Sequence, residues 1–110
     1  MVEKSEAANP LVGYDRCFES RARLEIMSVL AVNGTYEYSG LKALLGLTDG
    51  NLTSHLRSLE KAGYVEFRKR FVGRKPNTVY RATSKGKEAF ARHLSALEAL
   101  CHSLALNDNE

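Results

Sequence analysis

Between Thr48 and Gly63 the chain gathers the side chains best suited to bind another molecule. At about 100° per residue, Leu52, Leu56 and Leu59 fall on one apolar stripe of a helix. Gly50, Thr53, Ser54, Arg57, Ser58 and Lys61 fall opposite, with no acid among them. A solvated helix face ordinarily mixes both charge signs on long side chains. A face of glycine, hydroxyls and two cations suits close approach to an anionic surface, and an arginine can donate twice to a guanine edge. The chemistry on offer is therefore hydrogen bonding and charge pairing. No phosphate-cradling glycine loop, Ser/His/Asp set or carboxylate pair is visible. Neither an enzyme nor a bound cofactor is expected.

A second cluster follows. From Arg68 to Arg92 there are nine cations and one acid, Glu88. The formal net charge of +3 is thus concentrated, and such a block attracts polyanions. Two cysteines, Cys17 and Cys101, stand far apart, which fits neither a disulfide framework nor a metal-ligand spacing. A redox or metal sensor built from Cys17, Cys101, His93 and His102 is a minor reading, and no metal is assigned. No apolar run approaches the roughly 20 residues that span a bilayer. Residues 1–10 lack the apolar centre of a signal peptide. A cytoplasmic protein with no membrane partner is the expectation.

The elements that must position these residues follow from periodicity and punctuation. Residues 1–10 read as a disordered tail, and 11–106 as one domain. A short helix is expected over 11–19, with Leu11, Tyr14 and Phe18 on one face. A central helix is expected over 21–32, with Leu24, Met27 and Ala31 on one line and Ile26 and Leu30 beside it, ending at Asn33-Gly34. Tyr36-Glu37-Tyr38 suggests a short strand, its tyrosines covering the core. Ser39 would cap a helix over 40–45 that stops at Gly46, and Thr48 would cap the helix over 48–62. Two short helices joined by a glycine-containing turn make a helix-turn-helix.

Beyond Gly63 the period changes to two. Val65 and Phe67 would face inward and Glu66 and Arg68 outward, so Arg68 and Lys69 oppose each other and one of them faces the partner. Residues 73–77 read as a turn, and 78–83 as a returning strand with Tyr80 and Ala82 toward the core. Arg74 and Lys75 would tip this basic hairpin, which can lie on a phosphate backbone or enter a minor groove. Thr83 would cap a last helix over 84–106, with Phe90, Leu94, Leu97, Cys101 and Leu104 at heptad-like spacing. About 22 helical residues reach about 33 Å, more than so small a domain readily covers. The helix should therefore pack along 21–32 and pair with its copy in a second chain. The expected fold is mostly α with a small β-hairpin, a winged helix-turn-helix with a long C-terminal helix.

Particular residues sharpen this. Arg23-Leu24-Glu25-Ile26-Met27-Ser28-Val29-Leu30 looks like a first-helix pattern. Leu47-Thr48-Asp49-Gly50-Asn51-Leu52-Thr53-Ser54-His55-Leu56 and Leu59-Glu60-Lys61-Ala62-Gly63-Tyr64-Val65 look like a recognition helix and its exit. Gly73-Arg74-Lys75-Pro76 looks like a wing, and Tyr80-Arg81-Ala82-Thr83-Ser84-Lys85-Gly86 like the second wing strand and next helix start. In this order, over about residues 15–100, they resemble the small single-domain MarR/ArsR-type winged-helix transcriptional regulators. The resemblance implies a homodimer that binds double-stranded DNA, more often a repressor than an activator. Carried over by position, Gly50, Asn51, Thr53, Ser54, His55 and Arg57 would meet bases or nearby phosphates. Ser39 and Lys61 would meet phosphates. Arg70, Arg74, Lys75 and Asn77 would be wing contacts on the 68–81 hairpin. His55 has a second reading, as a core-edge histidine bonded to a backbone carbonyl. The dimer interface would use Leu11, Tyr14 and Phe18 with Leu94, Leu97, Cys101 and Leu104. The chain departs from the family at Ala82, where a larger aliphatic is usual. It also departs by lacking the extra terminal helices of full-length MarR proteins and the cysteine motif of ArsR sensors. A small-molecule effector is therefore left unassigned. The alternative is a winged helix that acts as a protein–protein adaptor without DNA.

Overall fold

The computed structural model describes residues 9–108; residues 1–8 of the tail expected over 1–10 lie outside the described residues. Four α-helices and a three-stranded antiparallel sheet make up the architecture. The chain first turns at Pro10–Gly13 and makes a short 3-10 helix, Arg16–Glu19. The expected continuous helix over 11–19 is not formed. Gly13 takes φ +97°, and Asp15 is extended and accepts from the Cys17 N–H, which starts the tighter turn only there.

Helix α1, Arg21–Asn33, is capped by Ser20 and closed by Gly34 at φ 82°. Ile26, Met27 and Leu30 are its buried residues, while Ala31 is exposed and Leu24 half-buried. The inward stripe is thus rotated from the expected line toward Ile26 and Leu30. Strand β1, Thr35–Glu37, begins one residue earlier than expected and gives way to helix α2, Tyr38–Leu45. Ser39 therefore sits inside the first turn instead of capping it, and the N-cap residue Glu37 makes no side-chain cap bond. Gly46, left-handed at φ 65°, ends α2.

Helix α3, Asp49–Lys61, starts where its sequence says. The Asn51 N–H donates to Thr48 Oγ1 at 3.2 Å. Leu52, Leu56 and Leu59 are enclosed in the core with Ile26, Met27, Leu30 and Leu41. Strands β2, Val65–Val72, and β3, Lys75–Ala82, pair from Val65↔Ala82 to Val72↔Lys75. The connecting turn is only Gly73-Arg74, tighter than the expected 73–77, so Lys75, Pro76 and Asn77 belong to the strand. A positive-φ glycine (φ 64°) followed by a residue of negative φ is the II′ order, which suits a two-residue hairpin. β3 also pairs with β1, which makes β2 an outer strand.

Helix α4, Ser84–Asp108, is about 37 Å long. Its start is stapled to the exit of α3 by one side chain. Thr83 Oγ1 accepts from the Gly86 N–H at 2.9 Å and donates to the Gly63 carbonyl at 2.6 Å, while the Thr83 N–H donates to the Tyr64 carbonyl at 2.9 Å. Gly86 lies so close to this strand that a Cβ there would stand 2.1 Å from the Tyr64 carbonyl oxygen. α4 packs on β3 and the 13–18 segment rather than along α1. Phe18 fills the space between, stacked on Tyr64 and edge-on to Phe90. The inward stripe of α4 is Gly86, Ala89, Phe90, His93 and Ala96, one step round from the expected heptad seam. Small residues let the helix seat closely on that side. Leu94, Cys101 and Leu104 are left exposed on the neighbouring side. The molecule measures 64 × 26 × 22 Å.

Candidate nucleic-acid interface

The outward face of α3 is the first component. Asp49, Gly50, Thr53, Ser54, Arg57, Ser58 and Lys61 line one shallow open groove. Apart from half-buried Thr53, all are exposed. Gly50 has open space where a Cβ would stand, so nothing in the chain itself demands glycine there. Asn51, beside this row, is exposed as well. Asp49 adds an acid at the helix start, but it is occupied. Lys42 Nζ approaches it at 3.1 Å and the Tyr38 hydroxyl donates to Oδ1 at 3.1 Å, which together hold its carboxyl below the usual range. The same hydroxyl lies 3.0 Å from Thr53 Oγ1. Tyr38, expected only to cover the core, therefore also fixes the angle between α2 and the first turns of α3.

His55 is placed differently from its neighbours. It is half-buried, and its Nδ1 lies 3.2 Å from Arg23 Nη1. A guanidinium only donates, so Nδ1 accepts and the ring proton sits on Nε2. Burial first, and the Arg23 charge second, push the imidazole pKa down. The partner is thus an arginine side chain, not the backbone carbonyl weighed as one reading. Arg23 also donates through Nε to the Cys17 carbonyl at 2.6 Å, tying the 3-10 helix, α1 and α3 together. Nothing in the spacing of Arg23 signals this.

The wing is the second component. Its register sorts the cations by face. Val65, Phe67, Lys69 and Phe71 share the side toward the helices with Ala82, Tyr80, Thr78 and Pro76. Glu66, Arg68, Arg70 and Val72 share the other side with Arg81, Val79, Asn77 and Lys75. Lys69 and Arg57 line one cleft with Tyr38, Thr53 and Glu60. Of Arg68 and Lys69, one of which was expected to face the partner, Lys69 is the one on the α3 side, and parity with buried Val65 is the signal that selects it. Arg70 lies on the opposite face, lining a groove with Thr35, Glu37 and Ser39. Asn77 is engaged within the chain, its amide donating to Glu37 Oε2 at 2.9 Å. Arg81 is paired with Glu66. Among the described residues, none of the ion pairs involves Arg57, Lys61, Arg68, Lys69, Arg70, Arg74 or Lys75. Ser39 is exposed beside the edge of β3, in a groove with Lys75, Pro76 and Asn77.

The residues expected at an interface between copies separate into two groups. Phe18 is only 2 % exposed and lies inside the chain's own core, so it is not available to a second chain. Leu11, Tyr14 and Leu97 are half-buried; Leu94, Cys101 and Leu104 are exposed. Cys17 is half-buried and remote in sequence from exposed Cys101, and both are free thiols.

A family model for the winged helix DNA-binding domain matches residues 22–101, most of the chain. The chain belongs to the winged helix DNA-binding domain family. An uncharacterized protein of Methanocaldococcus jannaschii is 37% identical over 79 residues, spanning 72% of this chain and 86% of that one. Among solved structures, a transcriptional regulator homologue from Pyrococcus horikoshii superposes with a TM-score of 0.76 at 36% identity, over 82% of this chain and 89% of the other. A MarR-like transcriptional regulator from Thermotoga maritima gives a TM-score of 0.58 at 31% identity, over 78% of this chain and 60% of the other. This winged helix is thus a small MarR-like DNA-binding protein, of a family of regulators and not of enzymes. Among the described residues no helix is long and apolar enough to cross a membrane.

Proposed function

We propose that this winged helix is a homodimeric transcriptional regulator, in its simplest form a repressor, that recognises a specific double-stranded DNA site. Each subunit lays α3 in a major groove and rests the β2–β3 wing on the flanking backbone or minor groove. The observation that carries this is the outward face of α3. Its leucines are spent on the core, while Gly50, Ser54, Arg57, Ser58 and Lys61 are exposed in one open groove. Arg57 is the base reader; Ser54, Asn51, Thr53 and Gly50 accept or admit the duplex; Lys61 and Ser39 meet phosphates. Lys69, Arg74 and Lys75 extend the positive surface along the wing, with Arg70 at its outer margin. His55 acts from beneath, through the ring N–H that its bond to Arg23 leaves free.

Dimerisation rests on α4. Exposed Leu94, Cys101 and Leu104 and half-buried Leu97 form an apolar strip along that helix, with Leu11 and Tyr14 at its base. A two-fold pair of α3 helices would read half-sites about 34 Å apart, one helical turn or a multiple of it. Seated there, a dimer blocks access to the duplex, which is the basis of repression.

Selection from a randomised duplex pool tests the proposal. The expected product is an inverted repeat whose retention is lost when Arg57 and Arg74 are both replaced by Ala, with dimerisation intact. Retention that ignores both substitutions would favour the adaptor reading instead.

A further inference from the structure

The apex of the wing carries apolar side chains that the domain does not use. Phe71 is 73% exposed and Val72 58% exposed, and neither joins the core cluster. The register sets Phe71 opposite Pro76, which is also exposed, on the face that carries Lys69 toward α3. Arg74 occupies the turn and Lys75 opens the return strand. An exposed phenylalanine on an outer strand is a liability, because such strands invite edge-to-edge pairing. Here it is flanked by cations within four residues on either side, Arg68, Lys69, Arg70, Arg74 and Lys75. The patch is thus a small apolar tip in a strongly positive collar. Charge complementarity points to a polyanion with an apolar interior within reach, which describes stacked bases behind a phosphate backbone.

The length of the hairpin agrees. Val65 is buried just beyond the exit of α3, and Phe71 stands six residues further along β2, about 20 Å at 3.3 Å per residue. Half a turn of B-DNA, the step from a major groove to the adjoining minor groove, is about 17 Å. Phenylalanine and proline are among the side chains that enter a minor groove as wedges, unstack a base step and bend the duplex by about 20–90° toward the major groove. A bend of that sense folds the DNA onto α3.

We propose that Phe71 and Pro76 form an apolar wedge that enters the minor groove beside the site read by α3 and bends the duplex. The inference rests on the DNA-binding reading above and adds a deformation step to it. Arg74 and Lys75 neutralise the phosphates on the two walls of the groove, and Phe71 supplies the unstacking. Specificity then extends to base steps that no side chain reads by hydrogen bonding, because flexible steps bend at lower cost.

The test uses the full chain and a 40-bp duplex recovered from a randomised pool, labelled at its ends for energy transfer. The variants are Phe71→Ser, Phe71→Leu and Arg57→Ala. Wild type is expected to raise the end-to-end transfer and to be displaced by netropsin, a minor-groove ligand. Phe71→Ser should keep its thermal midpoint and its Arg57-dependent, salt-sensitive binding, lose roughly tenfold in affinity and leave the duplex straight. Phe71→Leu should restore the bend. Wild-type binding without a bend, or a bend unchanged in Phe71→Ser, overturns the wedge while leaving α3 recognition intact. Failure of wild type to retain any duplex overturns the DNA-binding reading itself.

Discussion

At the residue scale the account separates side chains that look alike in the sequence. Arg57 stands free on α3, whereas half-buried Arg23 is engaged by His55 and the Cys17 carbonyl, and Arg81 is paired with Glu66. Replacing Arg57 by Ala should cost about 1–3 kcal/mol of discrimination at one base pair, measured by titrating the selected duplex and single-base variants of it. Lys69→Ala should weaken all duplexes about equally and reduce the slope of log affinity against log salt by about 1. Arg70→Ala, from the other face of the sheet, should change that slope less than Lys69→Ala; the reverse order would mean that the wing meets DNA with its outer face. Gly86 makes a different prediction. A Cβ there would overlap the Tyr64 carbonyl, so Gly86→Ala should destabilise the fold by about 1–3 kcal/mol, read as a lower urea midpoint.

At the element scale the sequence was most legible where local chemistry alone decides. Thr48, Gly46, Gly34 and Thr83 mark helix ends because caps depend on one or two neighbouring residues. The leucine stripe of α3 was readable for the same reason. Elements whose partner is distant were read less well. The 11–19 segment breaks into a turn and a 3-10 helix because it is held to α4: the Asp15 N–H donates to His93 Nδ1 at 3.0 Å, and the Tyr64 hydroxyl donates to the Asp15 carboxylate. That bond, together with burial, pushes the Tyr64 pKa up to about 12. The stripe that α4 turns toward its own domain lies one step from the heptad spacing because Gly86, Ala89 and Ala96 allow closer packing than leucines would, and hydropathy does not register that. In the interface, Lys69 and the occupied state of Asn77 depend on the β2–β3 register, which the tight Gly73-Arg74 turn sets. The seam between the 11–19 segment and α4 predicts a pH dependence. His93 is 2% exposed, and burial lowers its pKa from 6.5 against the opposing pull of Asp15 and Glu19; Tyr14 and Phe18 pack on its ring. The unfolded chain then takes up a proton that the folded chain resists. Stability from this group is complete above pH 6.5 and falls as pH drops below it. The thermal midpoint should therefore be lower at pH 5 than at pH 7.5, with a smaller drop in His93→Gln. His55, also lowered, adds a drop of the same sign.

At the scale of the whole molecule, the domain presents two distinct surfaces: a cationic α3–wing face and a partly exposed apolar strip along α4. Sedimentation should show a dimer for the wild type and a folded monomer when Leu94 and Leu104, both exposed, are replaced together by Asp; a monomeric wild type would remove the two-fold geometry. A dimer neutralising about 6–10 phosphates should lose about 10³–10⁵ in affinity between 50 and 200 mM salt. The central claim is that the face of α3 opposite its leucines is the surface that meets DNA. Amide chemical shifts recorded while the selected duplex is titrated into the isotope-labelled chain test it most directly. The largest changes should fall at Gly50, Asn51, Ser54, Arg57 and Lys69, with the buried stripe of α4 still. Changes confined to the far half of α4 or to the outer face of the sheet, with Ser54 and Arg57 unmoved, would contradict it.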